Sequence, residues 1–176
     1  MSAGRIVPAV LAVWLAALPP AMAGGAHEHG IAHLDVGVDD GGVVITLDTP
    51  LEALVGFEHA PRDARQRDAL ARMVDRLKSA DRMFALDPAA GCRLDAATVE
   101  HPFEASKGGA AEAPAGGHAD AQASWAWRCE RPAALKRIEV RLFNDFPGLK
   151  TLRVQTATLK GQGSATLVKS KRVLSF

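Results

Sequence analysis

The chain has 176 residues and a formal net charge of +1, from 21 Lys and Arg residues against 20 Asp and Glu residues. This balanced charge, without a basic block or a basic-aromatic pattern, argues against nucleic acid as the main partner. The length is sufficient for one domain with its own hydrophobic core.

The first residues have the pattern of a secretory signal peptide. Arg5 provides a short positive region, an apolar run covers residues 6–18, and residues 21–23 form a small-x-small cleavage pattern. An uncleaved anchor is the alternative, but the apolar run is shorter than the roughly 20 residues of a transmembrane helix. We therefore predict a signal peptide over residues 1–23 and a mature chain over residues 24–176. The mature protein is expected in the periplasm or on the extracellular side, without membrane attachment after cleavage.

Hydrophobic periodicity predicts the first elements of the mature chain. Residues 31–38 alternate between apolar and polar, residues 39–42 form a turn signal, and residues 43–48 return as a second strand, which predicts a β-hairpin. The next apolar residues follow a helical period, in a helix expected to begin at Pro61. Its buried face consists of Leu70, Met73, Val74 and Leu77.

The second half of the chain reads as further antiparallel strands, because its segments alternate and are separated by Gly or Pro. These segments are residues 92–100, 125–129, 136–143, 149–159, 164–168 and 172–176. The predicted fold class is α+β: a mainly antiparallel β-sheet with an N-terminal β-hairpin and one main helix packed on it.

Two cysteines, Cys92 and Cys129, occur in the exported part. An even number of cysteines in an exported chain favours a disulfide. A thiolate metal pair is the rival reading, although the spacing is not that of a CxxC motif. The Gly- and Ala-rich stretch between them, at about residues 104–123, is interpreted as a flexible loop inside a single β-rich metal-binding domain.

Catalysis has no support in the sequence. The chain has no GxSxG motif, no Gly-rich phosphate loop and no HExxH motif, and it has no tyrosine. Its acidic residues are scattered instead of being paired for acid–base chemistry. We therefore expect a protein that is not an enzyme.

Histidines near the mature N-terminus suggest a metal site. His27, His29 and His33 would share one face of an extended chain, and neutral imidazole is a common ligand of zinc and copper. In a straight strand, residues 29 and 33 would lie roughly 13 Å apart, too far to share one ion. Either Gly30 bends the chain, or the pair His27 and His29 is completed from elsewhere, with Glu28 as a less favoured carboxylate ligand.

The completing ligand could be His59, just before the expected helix start, where the helix dipole favours the neutral ring. The equally weighted alternative is that His59 and its neighbour Glu58 cap the helix or pair with each other. His101 and His118 are interpreted as exposed histidines, and His118 remains a possible additional ligand. Only four methionines occur, so soft ligands for Cu(I) are scarce.

Four segments together resemble the ZrgA-like periplasmic zinc-binding protein family: HEHGIAHLDVGV, LVGFEHAPRDARQRDAL, GCRL and LFNDFPGLKTLRVQ. They occur in order along nearly the whole mature chain. The resemblance implies a non-enzymatic periplasmic protein that binds zinc and supports zinc acquisition, with an ABC zinc importer as a possible partner. It also implies zinc ligands at the matching positions His27, His29, His33 and His59.

The sequence departs from this family in the loop between the cysteines. Family members often carry a His-rich stretch there, whereas residues 103–124 contain only His118. The alternative hypothesis is therefore an envelope interaction or scaffold protein that has lost most of its metal-binding capacity. The motif FNDFPGL, residues 143–149, is interpreted as a structural turn with aromatic packing.

Overall fold

The computed structural model describes residues 29–104 and 119–176. The predicted signal peptide and most of the Gly- and Ala-rich loop lie outside the described residues. The strands are β1 (Ile31–Val38), β2 (Gly42–Pro50), β3 (Phe84–Leu86), β4 (Cys92–Glu100), β5 (Asp120–Cys129), β6 (Arg137–Val140), β7 (Thr151–Thr158), β8 (Gly161–Val168) and β9 (Val173–Ser175). The helices are α1 (Leu51–Val55), α2 (Ala64–Lys78), α3 (Ala80–Met83) and α4 (Leu142–Asp145).

Six strands form one mixed sheet in the order β4-β5-β2-β1-β7-β8. Strands β1 and β2 pair antiparallel, and the side chain of Asp39 accepts hydrogen bonds from the backbone of Gly41 and Gly42 in the turn between them. Strand β1 pairs with β7 in parallel, so the expectation of a mainly antiparallel sheet is only partly confirmed. Alternation alone cannot reveal this, because side chains alternate with the same period in parallel and antiparallel strands.

Three short strands form a second sheet in the order β3-β6-β9. Strands β6 and β9 lie within segments predicted to be extended, whereas β3 and the separation into a second sheet were not predicted. The expectation that residues 136–143 are extended throughout is wrong at its end, since β6 stops at Val140 and helix α4 follows. Leu142, Phe143 and Phe146 are all buried, an arrangement that one helical turn permits and that an alternating strand does not.

The main helix, α2, buries Leu70, Met73 and Leu77 as its periodicity predicts, whereas Val74, the fourth residue of the predicted face, is only partly buried. It begins at Ala64 and not at Pro61, because the side chain of Asp63 accepts a hydrogen bond from the backbone N–H of Gln66 and acts as the N-cap. The helix is tied to the sheet through β5. The indole Nε1–H of the fully buried Trp125 donates to the carbonyl oxygen of Leu77 at 2.7 Å.

Cys92 and Cys129 form a disulfide between facing residues of β4 and β5, which confirms the predicted pairing. They are 37 residues apart in the sequence, and closing a loop of this size contributes about 4 kcal/mol in the chain-entropy model. Strand β5 begins at Asp120, so the loop ends earlier than the predicted residue 123. The residues of this extension alternate between buried and exposed, as expected for a strand that covers a core.

One face of the six-stranded sheet packs on the helices, and the opposite face is open to solvent. The open face is mostly polar and carries a row of paired residues, one from each strand: Glu100, Gln122, Asp48, His33, Arg153 and Thr166. Within residues 29–104 and 119–176, no helix is long and apolar enough to cross a membrane.

The hydrogen bond from Trp125 gives a test of this packing. The variant Trp125→Phe leaves the Leu77 carbonyl without its donor in a buried position, so the free energy of unfolding should fall by about 1–3 kcal/mol beyond the loss of apolar contact. Urea denaturation would measure the change. Trp127→Phe, which trims the neighbouring indole on the same strand, is the matched control, and equal losses in both variants would contradict this role for Trp125.

Candidate metal-binding site

The backbone turns at Gly30, so that His29 does not continue the line of strand β1. Gly30 has a φ of 75°, and β1 begins only at the following residue. Its carbonyl oxygen accepts hydrogen bonds from the N–H groups of Lys150, at 2.8 Å, and Thr151, at 3.0 Å. The backbone does turn at Gly30, so His29 and His33 do not lie along one straight strand, but the predicted meeting of these two histidines at one ion is not seen among the described residues.

His29 turns towards helix α1, where its Nδ1 contacts a carboxylate oxygen of Glu52. Its side chain remains 76% exposed. The hydrogen bond with Glu52 and the charge of this carboxylate raise the pKa of His29, and the charge of Glu58 adds to the effect. Desolvation and the charge of Lys150 lower the pKa of His29 and oppose this effect.

Glu52 was missed by the sequence analysis. It lies 23 residues from His29 in the chain, and the two residues meet because α1 follows directly after β2, the antiparallel partner of β1. No sequence motif marks this pair, because the contact depends on where β2 ends and α1 begins.

His59 lies in the segment between α1 and α2 and is partly buried. Its ring stacks on Phe57 with the ring centroids 5.3 Å apart, and its Nδ1 makes a hydrogen bond of 2.9 Å to the carbonyl oxygen of Ala60. The alternative that His59 caps the helix is wrong, because Asp63 fills the N-cap position.

The two other described histidines have different surroundings. His33 is exposed on the open face of the sheet, where its strand partners are Asp48 and Arg153. The ring of His101 accepts a hydrogen bond at Nδ1 from the backbone N–H of Phe103, at 3.2 Å. Burial lowers the pKa of His101, which favours its neutral form.

These hydrogen bonds determine which ring nitrogen can bind a metal. A carboxylate and a carbonyl oxygen only accept, so Nδ1 carries the proton in both His29 and His59. In the neutral ring, Nε2 then has a free lone pair, as a metal ligand requires. In His101 the situation is reversed, because Nδ1 accepts and the proton resides on Nε2. These hydrogen bonds therefore leave Nε2 of His29 and Nε2 of His59 able to bind a metal.

The described residues do not assemble the predicted ligands into one complete site. Within residues 29–104 and 119–176, no three His, Cys, Asp or Glu residues are close enough to hold a metal ion together. The predicted candidates His27, Glu28 and His118 lie outside the described residues. Glu58, which directly precedes His59 in the chain, carries a charge that raises the pKa of His29.

The contact between His29 and Glu52 predicts a measurable titration. In the metal-free protein, the pKa of His29 should lie above the ordinary value of 6.5 and should fall in the variant Glu52→Gln, because the hydrogen bond to a negative charge is lost. The pKa of His101 should lie below that value in both proteins. NMR titration of the histidine ring signals would measure both, and a His29 pKa that does not respond to the substitution would contradict the contact.

Comparison with known proteins adds a family assignment to this geometry. A search of curated proteins finds no match. The family model described as "ZrgA family zinc uptake protein" matches residues 26–176, which include the N-terminal histidines, α1, His59 and both cysteines. The chain therefore belongs to the ZrgA family of zinc uptake proteins.

Proposed function

We propose that this protein is a non-enzymatic periplasmic zinc-binding protein that supports zinc uptake and passes zinc to an importer. The family assignment supports a role in zinc uptake. The observation that assigns the proposal to particular residues is the hydrogen bonding of the histidine ring nitrogens. His29 and His59 both have Nδ1 engaged as a donor and Nε2 left for a metal.

In this proposal His29 and His59 are the central ligands, and His27 completes the set. Zinc prefers four ligands in tetrahedral geometry, and a site with only three protein ligands keeps one position for water or for an incoming group. The high exposure of His29 suits a site that must accept and release its ion. A zinc ion that serves only to hold a fold is instead enclosed by four protein ligands.

His33 is the competing ligand, and the structure favours His59 over it. The side chain of His33 projects from the open face of the sheet, beside Asp48 and Arg153. His29 leaves the sheet at Gly30 and turns to α1, the helix that leads into the segment carrying His59.

Calorimetry on the mature, tag-free chain tests this assignment. At about pH 7.5 we expect a zinc dissociation constant below about 10 μM, equivalent to about 7 kcal/mol of binding free energy. Affinity should fall towards pH 5.5, because histidine ligands must lose their protons to bind the metal. His29→Ala and His59→Ala should each weaken binding at least tenfold, about 1.4 kcal/mol, since each removes a ligand.

His33→Ala and His101→Ala are the matched controls and should leave the affinity unchanged. If wild-type protein binds zinc more weakly than about 10 μM, zinc binding is not its function, and an envelope interaction or scaffold role gains support. If His33→Ala weakens binding and His59→Ala does not, the ion is held on the face of the sheet and the ligand assignment is wrong.

A further inference from the structure

We infer that Glu52 is a positioning residue for zinc, which holds the ring of His29 with its proton on Nδ1 and its metal-binding nitrogen, Nε2, facing outward. This inference rests on the proposed function of His29 as a zinc ligand. The observation behind it is the contact between Nδ1 of His29 and the carboxylate of Glu52.

The chemistry of the contact follows from the two groups. An ionised carboxylate has no proton to donate, so the ring must present N–H at Nδ1. A neutral imidazole has only one such proton, and Nε2 is then left with its lone pair. In metal sites, ligating histidines commonly donate their second nitrogen to a carboxylate in this way, which fixes both the tautomer and the orientation of the ring. Without Glu52, the exposed ring of His29 would rotate freely and share its proton between both nitrogens.

The backbone of α1, which carries Glu52, is itself anchored. Glu52 lies in α1 between Leu51 and Ala53, both of which are buried, so its own side chain is directed towards the surface. The backbone N–H of Leu51 donates to the carbonyl oxygen of Ala119 at 2.8 Å, which ties the start of the helix to the residue before β5. The carbonyl oxygen of Glu52 accepts from the N–H of Gly56 at 2.9 Å and closes the helix.

The backbone that carries His29 is anchored from the other side. A Cβ on Gly30 would stand 2.8 Å from the carbonyl oxygen of Gly148, and a Cβ on Gly148 would stand 2.6 Å from the carbonyl oxygen of Ala53. The FNDFPGL turn therefore packs between the N-terminal segment and α1 without room for side chains. Glu52 and His29 are thus presented to each other by two backbone segments that both pack closely against Gly148.

A direct role of Glu52 as a zinc ligand is the competing mechanism, because a carboxylate can bind zinc. In that case zinc would take the place of the proton between the two side chains and would bind His29 at Nδ1. The positioning role places zinc on Nε2 and keeps the proton on Nδ1. The two mechanisms therefore differ in which ring nitrogen binds the metal.

The test combines zinc calorimetry with NMR of the histidine ring nitrogens, on the mature chain and the variants Glu52→Ala and Glu52→Gln. Metal-free spectra at about pH 9, where the ring is neutral, should show the His29 proton on Nδ1 in wild type and on both nitrogens in Glu52→Ala. Zinc affinity should fall about 10- to 100-fold in Glu52→Ala, the usual effect of removing such a partner. Glu52→Gln should lose less zinc affinity than Glu52→Ala, because its amide oxygen can still accept the hydrogen bond from Nδ1–H.

Glu100→Ala is the matched control: it removes an exposed carboxylate on β4, three strands away from β1, and should change neither readout. Circular dichroism of each variant would verify folding. If the wild-type protein binds zinc, and if Glu52→Ala has the same zinc affinity and the same position of the His29 proton, the proposed function stands while the role of Glu52 is overturned. Zinc bound at Nδ1 of His29 would also overturn it, in favour of direct ligation. A wild-type protein that binds no zinc would overturn the proposed function and this role with it.

Discussion

The candidate site depends on one backbone junction, the pair of hydrogen bonds from Lys150 and Thr151 to the carbonyl oxygen of Gly30. These bonds begin the parallel pairing of β1 with β7 and determine where the N-terminal segment leaves the sheet. The junction also brings Gly30 against Gly148, which itself packs on Ala53. A side chain at either glycine would separate the N-terminal segment from α1, so the contact between His29 and Glu52 is a consequence of this close packing.

The four described histidines show how the same side chain acquires different chemistry from its surroundings. A carboxylate or a carbonyl oxygen at Nδ1 leaves His29 and His59 with an open metal-binding nitrogen. A backbone N–H at Nδ1 removes this capacity from His101. His33 lies on the open face of the sheet between two charged strand partners, the acidic Asp48 and the basic Arg153. The number of histidines in a segment is therefore a weaker guide to metal binding than the group that each ring nitrogen faces.

Much of the fold was predictable, because it follows from local patterns. Alternation located β1 and β2, and the helical period located most of the buried face of α2. The even cysteine count, in a chain expected to be exported, indicated the disulfide. The parallel partner of β1 was not predictable, since the alternating pattern is the same for both strand directions. Strand β9 lies within the predicted segment 172–176, whereas β3, with only three residues, is too short to show a period and was not predicted.

The site was predictable only in part. His29 and His59 stood out as residue types near the N-terminus and near a helix, but the reason given for His59 was wrong, because α2 begins at Ala64 and is capped by Asp63. Glu52 belongs to no motif, and it meets His29 only because α1 follows directly after β2. The sequence shows that both residues are present, but whether they meet depends on how the backbone segments at Gly30, Gly148 and Ala53 pack together.

The central claim is that zinc binds at the end of the sheet, between the N-terminal segment and the segment before α2. The most direct test is a crystal structure of the mature chain grown with zinc, with the ion located by anomalous scattering at the zinc edge. We expect one ion about 2.0–2.1 Å from Nε2 of His29 and from Nε2 of His59. An ordered ion on the open face of the sheet, bound by His33 and not by His59, would contradict the account.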